Sequence, residues 1–436
     1  MAQNETTRRK RLFINQNFCL LFWGRLVSQI GDGIHYFALT WLVLDLTGSG
    51  AALGSVLLAS SLPAVILAPF TGVLADMWNR KVIVVLTDVF RGLILLSLGG
   101  IYYLGNLGMP ILYVGTVLLS LCGVLFGPAI SASIPGMVKK EELVHANALN
   151  SLSRSATGIV GPLIGAYLLG FTGYAGVFLV TGTSFLLSAI SEMLIKFPKQ
   201  ELALNHPAER QERPVKQFIK NFKQGLSYIW HSNGIRTIIL FAVVLNFIAT
   251  PIFNVVFPYF GKEILMMEAQ HYGLTQSSLP AGLLLGTLII GLLTKRIRKD
   301  RLLVIGIIGQ GAIVLLISIV ALPYMYLNMS PLMIVTSLMI PIFFLGVLNV
   351  LVNVPFQVML QETVPDQYRG RVFGLIDSTV QMLVPISMAL FGVLVDVIAP
   401  FYFLLLCGGV VIVLGIAMAR SNSIRIMYDD LSSFWA

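Results

Sequence analysis

Apolar residues in this chain gather into long runs separated by short polar or turn-forming breaks. A helix crosses a bilayer with about 20 consecutive apolar residues, and the runs meet that length. They predict helices at 17–44, 51–75, 82–104, 110–134, 146–170 and 174–196, then at 236–260, 272–294, 302–325, 331–361, 372–397 and 399–419. Turn chemistry supports the breaks at Gly48-Ser49-Gly50, Gly105 to Pro110, Gly170 to Gly173 and Ala399-Pro400. The expected fold class is an all-α integral membrane protein with twelve transmembrane helices in two pseudo-symmetric six-helix bundles. The expected division is a tail at 1–16, a bundle at 17–196, a linker at 197–235, a second bundle at 236–419 and a tail at 420–436.

Composition agrees with lipid as the main solvent. The 436 residues are 56% hydrophobic and 11% charged, with a mean hydropathy of +0.85; soluble chains carry about 25% charged residues. The net charge of +9 is explained by its placement. With the N-terminus inside, 25 of the 29 Lys and Arg fall in cytoplasmic tails and loops. One, Lys262, falls in an outer loop, and Arg25, Arg91 and Arg154 lie within helices. That asymmetry follows the positive-inside rule, so both termini are expected in the cytoplasm and no nucleic-acid partner is needed. Cys19, Cys122 and Cys407 are scattered through apolar runs without metal-ligand or redox spacing. Met1 to Gln16 leads into an apolar stretch with no small-residue cleavage site, which reads as a retained first helix.

Within the linker, Phe218, Ile219, Phe222 and Leu226 recur at helical spacing among lysines. This predicts an amphipathic helix lying on the inner membrane surface or packed on the bundle. A weak repeat relates the halves: Met137 to Ala148 and Thr363 to Gly374 precede the fifth helix of each, offset by 226 residues. Repeats of six helices are a known transporter architecture.

The segment Gly72 to Val84, GVLADMWNRKVIV, resembles the signature loop between helices two and three of the major facilitator superfamily. Gly72, Asp76, Arg80 and Lys81 match it, while Asn79 stands where Gly is usual. The order of motifs from Pro128 to Gly165 resembles the drug-efflux branch that includes macrolide and siderophore exporters. The resemblance implies that Asp76 caps the N-terminus of the eleventh helix, near Val372, when the cytoplasmic side is shut. In the second half Lys295 replaces the acid, so that contact is expected to be asymmetric. Gly158, Gly161, Pro162 and Gly165 in helix five resemble the antiporter motif, and Gly282 and Gly286 in helix eight share its small-residue spacing. Close packing of helices five and eight is expected at the seam between bundles. A basic residue expected in helix four of many proton antiporters is missing from Leu118 to Pro128.

A charge at mid-bilayer costs about 2.5–3.5 kcal/mol on insertion scales, so each one calls for a reason. Asp32 lies deepest, on a face with Arg25, Gln29 and Tyr36. An apolar setting favours the neutral form of a carboxyl, which would let Asp32 take up and release a proton with Arg25 modulating it. The alternative is a static Asp32–Arg pair. His35 is a second titrating candidate or a packing residue. Asp88, Arg91, Arg154 and Asp377 are expected to form a charge network or a static inter-helix staple. Glu192, Glu362, Asp45 and Asp396 sit near helix ends, where side chains are expected to reach water, and are assigned no function.

Phe22, Gln29, Tyr36, Asn246, Phe253, Asn254 and Phe257, with Trp41, are the candidate cavity lining, suited to bulky amphipathic molecules. The function expected is proton-coupled efflux of amphipathic small molecules by alternating access, with substrate, protons and lipids as partners and a monomer as the working unit. A lysophospholipid or siderophore carrier, or a carrier without proton coupling, remains an alternative. Five scattered His do not make an enzyme centre, no metal or cofactor is expected, and no phosphate-binding GxxxxGK[ST] is present. Neither the charge ring nor the repeated carbonyl loop of a channel is seen.

Overall fold

The computed structural model describes residues 14–196, 226–227 and 229–424; the side chains at 68–77, 366–368, 370–371 and 377–378 are not described. Its elements are α1 (Gln16–Thr47), α2 (Gly50–Met77), α3 (Arg80–Tyr103) and α4 (Met109–Met137), followed by one helical stretch, Leu143–Met193. That stretch breaks at Gly173, whose φ of 65° and ψ of −175° are non-helical. It therefore forms α5 (143–172) and α6 (174–193). The second half holds α7 (Asn233–Ile264), α8 (Ala269–Leu293), α9 (Lys299–Val320), α10 (Pro331–Thr363), α11 (Asp366–Val397) and α12 (Pro400–Ala419).

Contacts with α1 show that the chain reverses at Gly173. Along α5, Asn150 meets Arg25 and Ser153 meets Gln29, then Gly161 meets Gly33, so α5 runs parallel to α1. Along α6, Ser184 meets Gly31, then Ser188 bonds to Gly24 and Ser191 to Leu20, so α6 runs antiparallel to it. Ten helical stretches of the described residues are long and apolar enough to span a membrane, and one of them is the stretch that turns back. With α1 the spans number twelve. The middle of α1 is made less apolar by Gln29, Asp32 and His35, and it is shielded by its packing on α5 and α6 instead.

The ninth helix stops at Val320, short of the expected 325. Pro323 starts a separate turn, Pro323–Leu327, and Leu322 before it is extended (φ −68°, ψ 131°), as the residue preceding proline prefers. The eleventh begins at Asp366, earlier than expected. Within α7, Pro251 and Pro258 lack the N–H of a regular ladder, and the helix widens to π turns at Ile252–Val256 and Phe260–Ile264.

The small residues divide their work differently from the expectation. Gly161 and Gly165 face α1, with backbone atoms of Gly33 and Ile34 about 3 Å from the positions of added Cβ atoms. Gly282 and Gly286 face α10, against Phe343, Gly346, Val347 and Val350. These glycines therefore join helices inside each bundle. Helices α5 and α8 do pack together, through Gly273 against Pro162 and Ala166 and through Ser277 Oγ, which donates to Ile159 O at 3.0 Å. Glycine at 273 is needed because a side chain would meet the Ala166 methyl.

The hydrophobic clusters show how the bundles meet. At the end marked by Thr47 and Gly48, one cluster joins residues of α1 and α2, from Ile34 to Leu57, with Val255, Tyr272, Val384 and Met388 of the second half. At the opposite end, which carries Arg80, Lys81, Lys139 and Lys299, the clusters are separate. Phe18, Leu21, Ile83, Phe126 and Ile195 belong to the first half, and Ile290, Leu302, Val350 and Leu351 to the second. The bundles are joined at the first end and have separate cores at the basic end. Most of the expected tails and of the linker, including the amphipathic segment before Leu226, lies outside the described residues.

Candidate functional site

In the first bundle, α1, α3 and α6 bring four ionisable side chains together. Asp88, Arg91 and Glu192 are buried, with Asp88 and Glu192 fully inaccessible. The guanidinium Nη1 of Arg91 lies 3.5 Å from Asp32 Oδ2 and 3.7 Å from Asp88 Oδ1. Ser28 Oγ donates to Asp88 Oδ2 at 2.6 Å. Aromatic faces of Phe126 and Phe185 lie 5.4 and 5.2 Å from the guanidinium carbon, an arrangement that stabilises a buried cation. Gly123 of α4 makes the space, since a Cβ there would stand 2.7 Å from Arg91 Nη2.

Glu192 belongs to the same group, within electrostatic reach of Asp88 and Arg91. Its Oε1 is 3.5 Å from Ser188 Oγ, and its Oε2 has no hydrogen-bond partner among the described residues. Three carboxyls thus share one guanidinium in an apolar interior. Asp32 differs from its two partners in access: its side chain is 53% exposed.

Several expected pairings are rearranged. Arg25 does not pair with Asp32; its Nη1 donates to Asn150 Oδ1 at 2.9 Å. Gln29 accepts from Ser153 Oγ at 2.6 Å. Arg154 is exposed and forms no described ion pair with Asp32 or Asp88. The Asp377 side chain is outside the described set. His35 tilts against the Phe178 ring at 6.2 Å, and its Nδ1 is buried without a partner. Glu192, expected to reach water near a helix end, is instead enclosed.

Of the signature loop, Arg80 Nη1 donates to Ala132 O at 2.8 Å. Lys81 Nζ donates to Met193 O at 2.6 Å and Ile195 O at 2.9 Å, placing a cation on the carbonyl end of α6. The side chains of Gly72 and Asp76 lie in the undescribed stretch.

Where the bundles join, polar side chains fasten them. Tyr36 Oη donates to Asn254 Oδ1 at 2.6 Å. Asp45 accepts from Tyr174 and pairs with Lys262, whose ammonium lies 4.9 Å over the Trp41 ring. Asp396 of α11 accepts from Ser49 Oγ and Gly50 N, each at 2.6 Å, and from Ala51 N at 2.9 Å. It caps the N-terminus of α2, where free N–H groups and the helix dipole favour an anion. Asp45 and Asp396 were assigned no function on sequence; their partners lie more than 100 residues away.

The second bundle contains a cavity of about 410 Å³. Among the candidate lining residues only Asn246 borders it; Asn349, Asn353, Gln357 and Gln361 of α10 supply much of its polar wall. Phe257 is packed in the core of the second bundle and Phe253 stands edge-on to it at 5.2 Å. Phe22 stacks on Phe18 at 6.5 Å. The amide wall was missed although its spacing of four was readable. Among the described residues no cluster of His, Cys, Asp and Glu has a metal-binding arrangement.

A family model for the Major Facilitator Superfamily matches residues 21–387. The chain is 27% identical over 410 residues to "Uncharacterized MFS-type transporter YfiS" of Bacillus subtilis (strain 168), covering 93% of this chain and 94% of that one. It is 25% identical over 417 residues to "Macrolide efflux protein A" of Streptococcus pyogenes, covering 94% and 96%. Among solved structures, a bacterial homologue of the iron transporter ferroportin in an inward-facing state superposes with a TM-score of 0.72 at 18% identity, covering 93% of this chain and 99% of that one.

Proposed function

The chain belongs to the major facilitator superfamily of transporters, and from that premise we propose that it exports amphipathic small molecules in exchange for protons. Similarity to a macrolide efflux protein supports the direction and the substrate class. The placement of Lys and Arg supports a cytoplasmic basic end. On that orientation the bundles are closed towards the outside and parted towards the cytoplasm, the form that receives cargo from within.

One observation carries the coupling: Asp32, half exposed, is the accessible member of a cluster in which three carboxyls share Arg91. Ionised Asp32 is held by Arg91. A proton arriving from the outer side neutralises it and ends that attraction, so the α1–α3 contact loses its Coulombic part. With Asp32 neutral, Arg91 keeps Asp88, 3.7 Å away and out of solvent contact, as its carboxylate partner. Opening to the outside requires release of Tyr36 from Asn254, Lys262 from Asp45, and Asp396 from α2. Each is a polar contact at a bundle boundary, able to exchange its partner for water.

The test is reconstitution in lipid vesicles with a macrolide or ethidium as cargo. An imposed pH gradient is expected to drive cargo against its own gradient, and dissipating the pH gradient is expected to stop it. Flux indifferent to the pH gradient would overturn proton exchange.

A further inference from the structure

We infer that the second bundle carries a recognition site for the neutral, hydroxyl-rich part of the cargo, such as a sugar substituent on an apolar macrocycle. The inference rests on the transport reading and adds the chemistry of what is held.

The carrier of the argument is a ladder on α10. Asn349, Asn353, Gln357 and Gln361 follow one another at intervals of four and all border the cavity. At 1.5 Å per residue they extend over about 18 Å. A spacing of four advances slowly around a helix, so the rungs stay on one side of it. Asn353, Gln357 and Gln361 are exposed, yet amides facing acyl chains would be left without partners. Their shared border with the cavity gives them a wet or ligand-filled surface instead. From facing helices, Asn246, Gln310 and Gln381 add three more carboxamides.

A carboxamide both donates and accepts and does not titrate. Such a wall matches groups that also do both, namely hydroxyls, and accepts ether and ester oxygens through its N–H groups. It offers a cation no formal counter-charge. Some capacity is already engaged: Asn246 Nδ2 donates to Ala242 O at 2.9 Å, and Asn353 Nδ2 to Asn349 Oδ1 at 2.8 Å. No described hydrogen bond engages the Asn246 or Asn353 carbonyl oxygens, nor the Gln357 or Gln310 amides, which leaves them for ligand hydroxyls. Phe241, Phe356 and Phe373 supply apolar walls for the ring skeleton. The cavity of about 410 Å³ lies within the range of small-molecule sites, about 300–1,000 Å³. It accommodates a substituent, with the rest of a large cargo extending towards the first bundle.

The test uses the full chain in lipid nanodiscs, free of glycosidic detergents that would compete. Binding of erythromycin is compared with that of the derivative lacking only its neutral sugar, the basic amino sugar left in place, for the wild type, for Asn353→Leu combined with Gln357→Met, and for Gln310→Leu on a different helix. The wild type is expected to prefer erythromycin about tenfold, the yield of two net hydrogen bonds. The double variant is expected to lose that preference while its affinity for the derivative without the neutral sugar stays within about twofold. Equal wild-type affinities, no binding of either compound, or a preference that survives in both variants would each overturn the inference. Unfolding midpoints identify a variant that fails by misfolding, in which case Gln310→Leu decides. Proton-driven ethidium flux by the wild type tests the transport reading apart: its absence would count against transport and not against the amide site.

Discussion

In the first bundle Asp32, Asp88, Arg91 and Glu192 form one cluster of ionisable groups, whereas the second bundle borders its cavity with seven carboxamides. Both bundles are built on the same six-helix plan and pack helices through glycines in the same manner. The helix plan therefore leaves the interior chemistry free to diverge. In the proposed cycle the charged half answers to the proton and the neutral half to the cargo. Neither task then disturbs the other: an amide wall binds equally at any pH near neutrality, and the carboxyl cluster need not fit a particular ligand.

The largest effect should come from removing the cation of the charged cluster, Arg91. Arg91→Met leaves three carboxyls without it, and breaking a buried ion pair costs about 3–5 kcal/mol. A large fall in the thermal unfolding midpoint in nanodiscs is expected, with Arg91→Lys falling in between. An unchanged midpoint would show that the cluster does not hold a buried charge. A smaller effect, and one common to both halves, is expected from the helix contacts. Gly33→Ala meets Gly161 and Gly282→Ala meets α10, and overpacking costs about 1–3 kcal/mol. Gly409→Ala, with nothing within 4 Å of its added Cβ, should be neutral or slightly stabilising. If the three variants behave alike, the shared packing plan is wrong.

Weaker still is the cap that fastens the halves. Asp396→Ala should lose about 0.5–2 kcal/mol of closed-end stability, shifting the population towards the outward-open form. Spin-label distances across the Gly50 end would report it as a growing long-distance component. Lys262→Met should do the same by about 1 kcal/mol or less, with the wild-type contact weakening as salt is raised, since the Asp45 side chain is 43% exposed.

Most of the helix plan was readable because a bilayer span demands a run that no soluble element needs. Asp32 and Arg91 stood out for the same reason, as rare charges in apolar surroundings. Their pairing did not. Arg25 shares a face with Asp32 on α1, but its partner, Asn150, comes from α5, and residues more than 100 positions apart are brought together only by packing. Glu192 was misread because distance from a helix end is a poor guide to burial: Ser188 anchors that turn to Gly24, and the acid is enclosed with it. The caps by Asp396 and Asp45 depend on how the two bundles meet, which no local pattern records. The amide ladder of α10 was present as a polar interval of four in an apolar run, and counting amides as well as charges would have found it.

The central claim is that Asp32 couples the proton to the alternation of access. Its most direct test is transport by Asp32→Asn in proteoliposomes, measuring pH-gradient-driven accumulation and cargo exchange at equal pH in one preparation. The account predicts that accumulation is lost while exchange continues, because the asparagine keeps the shape of the site but carries no exchangeable proton. Accumulation at the wild-type level would contradict it.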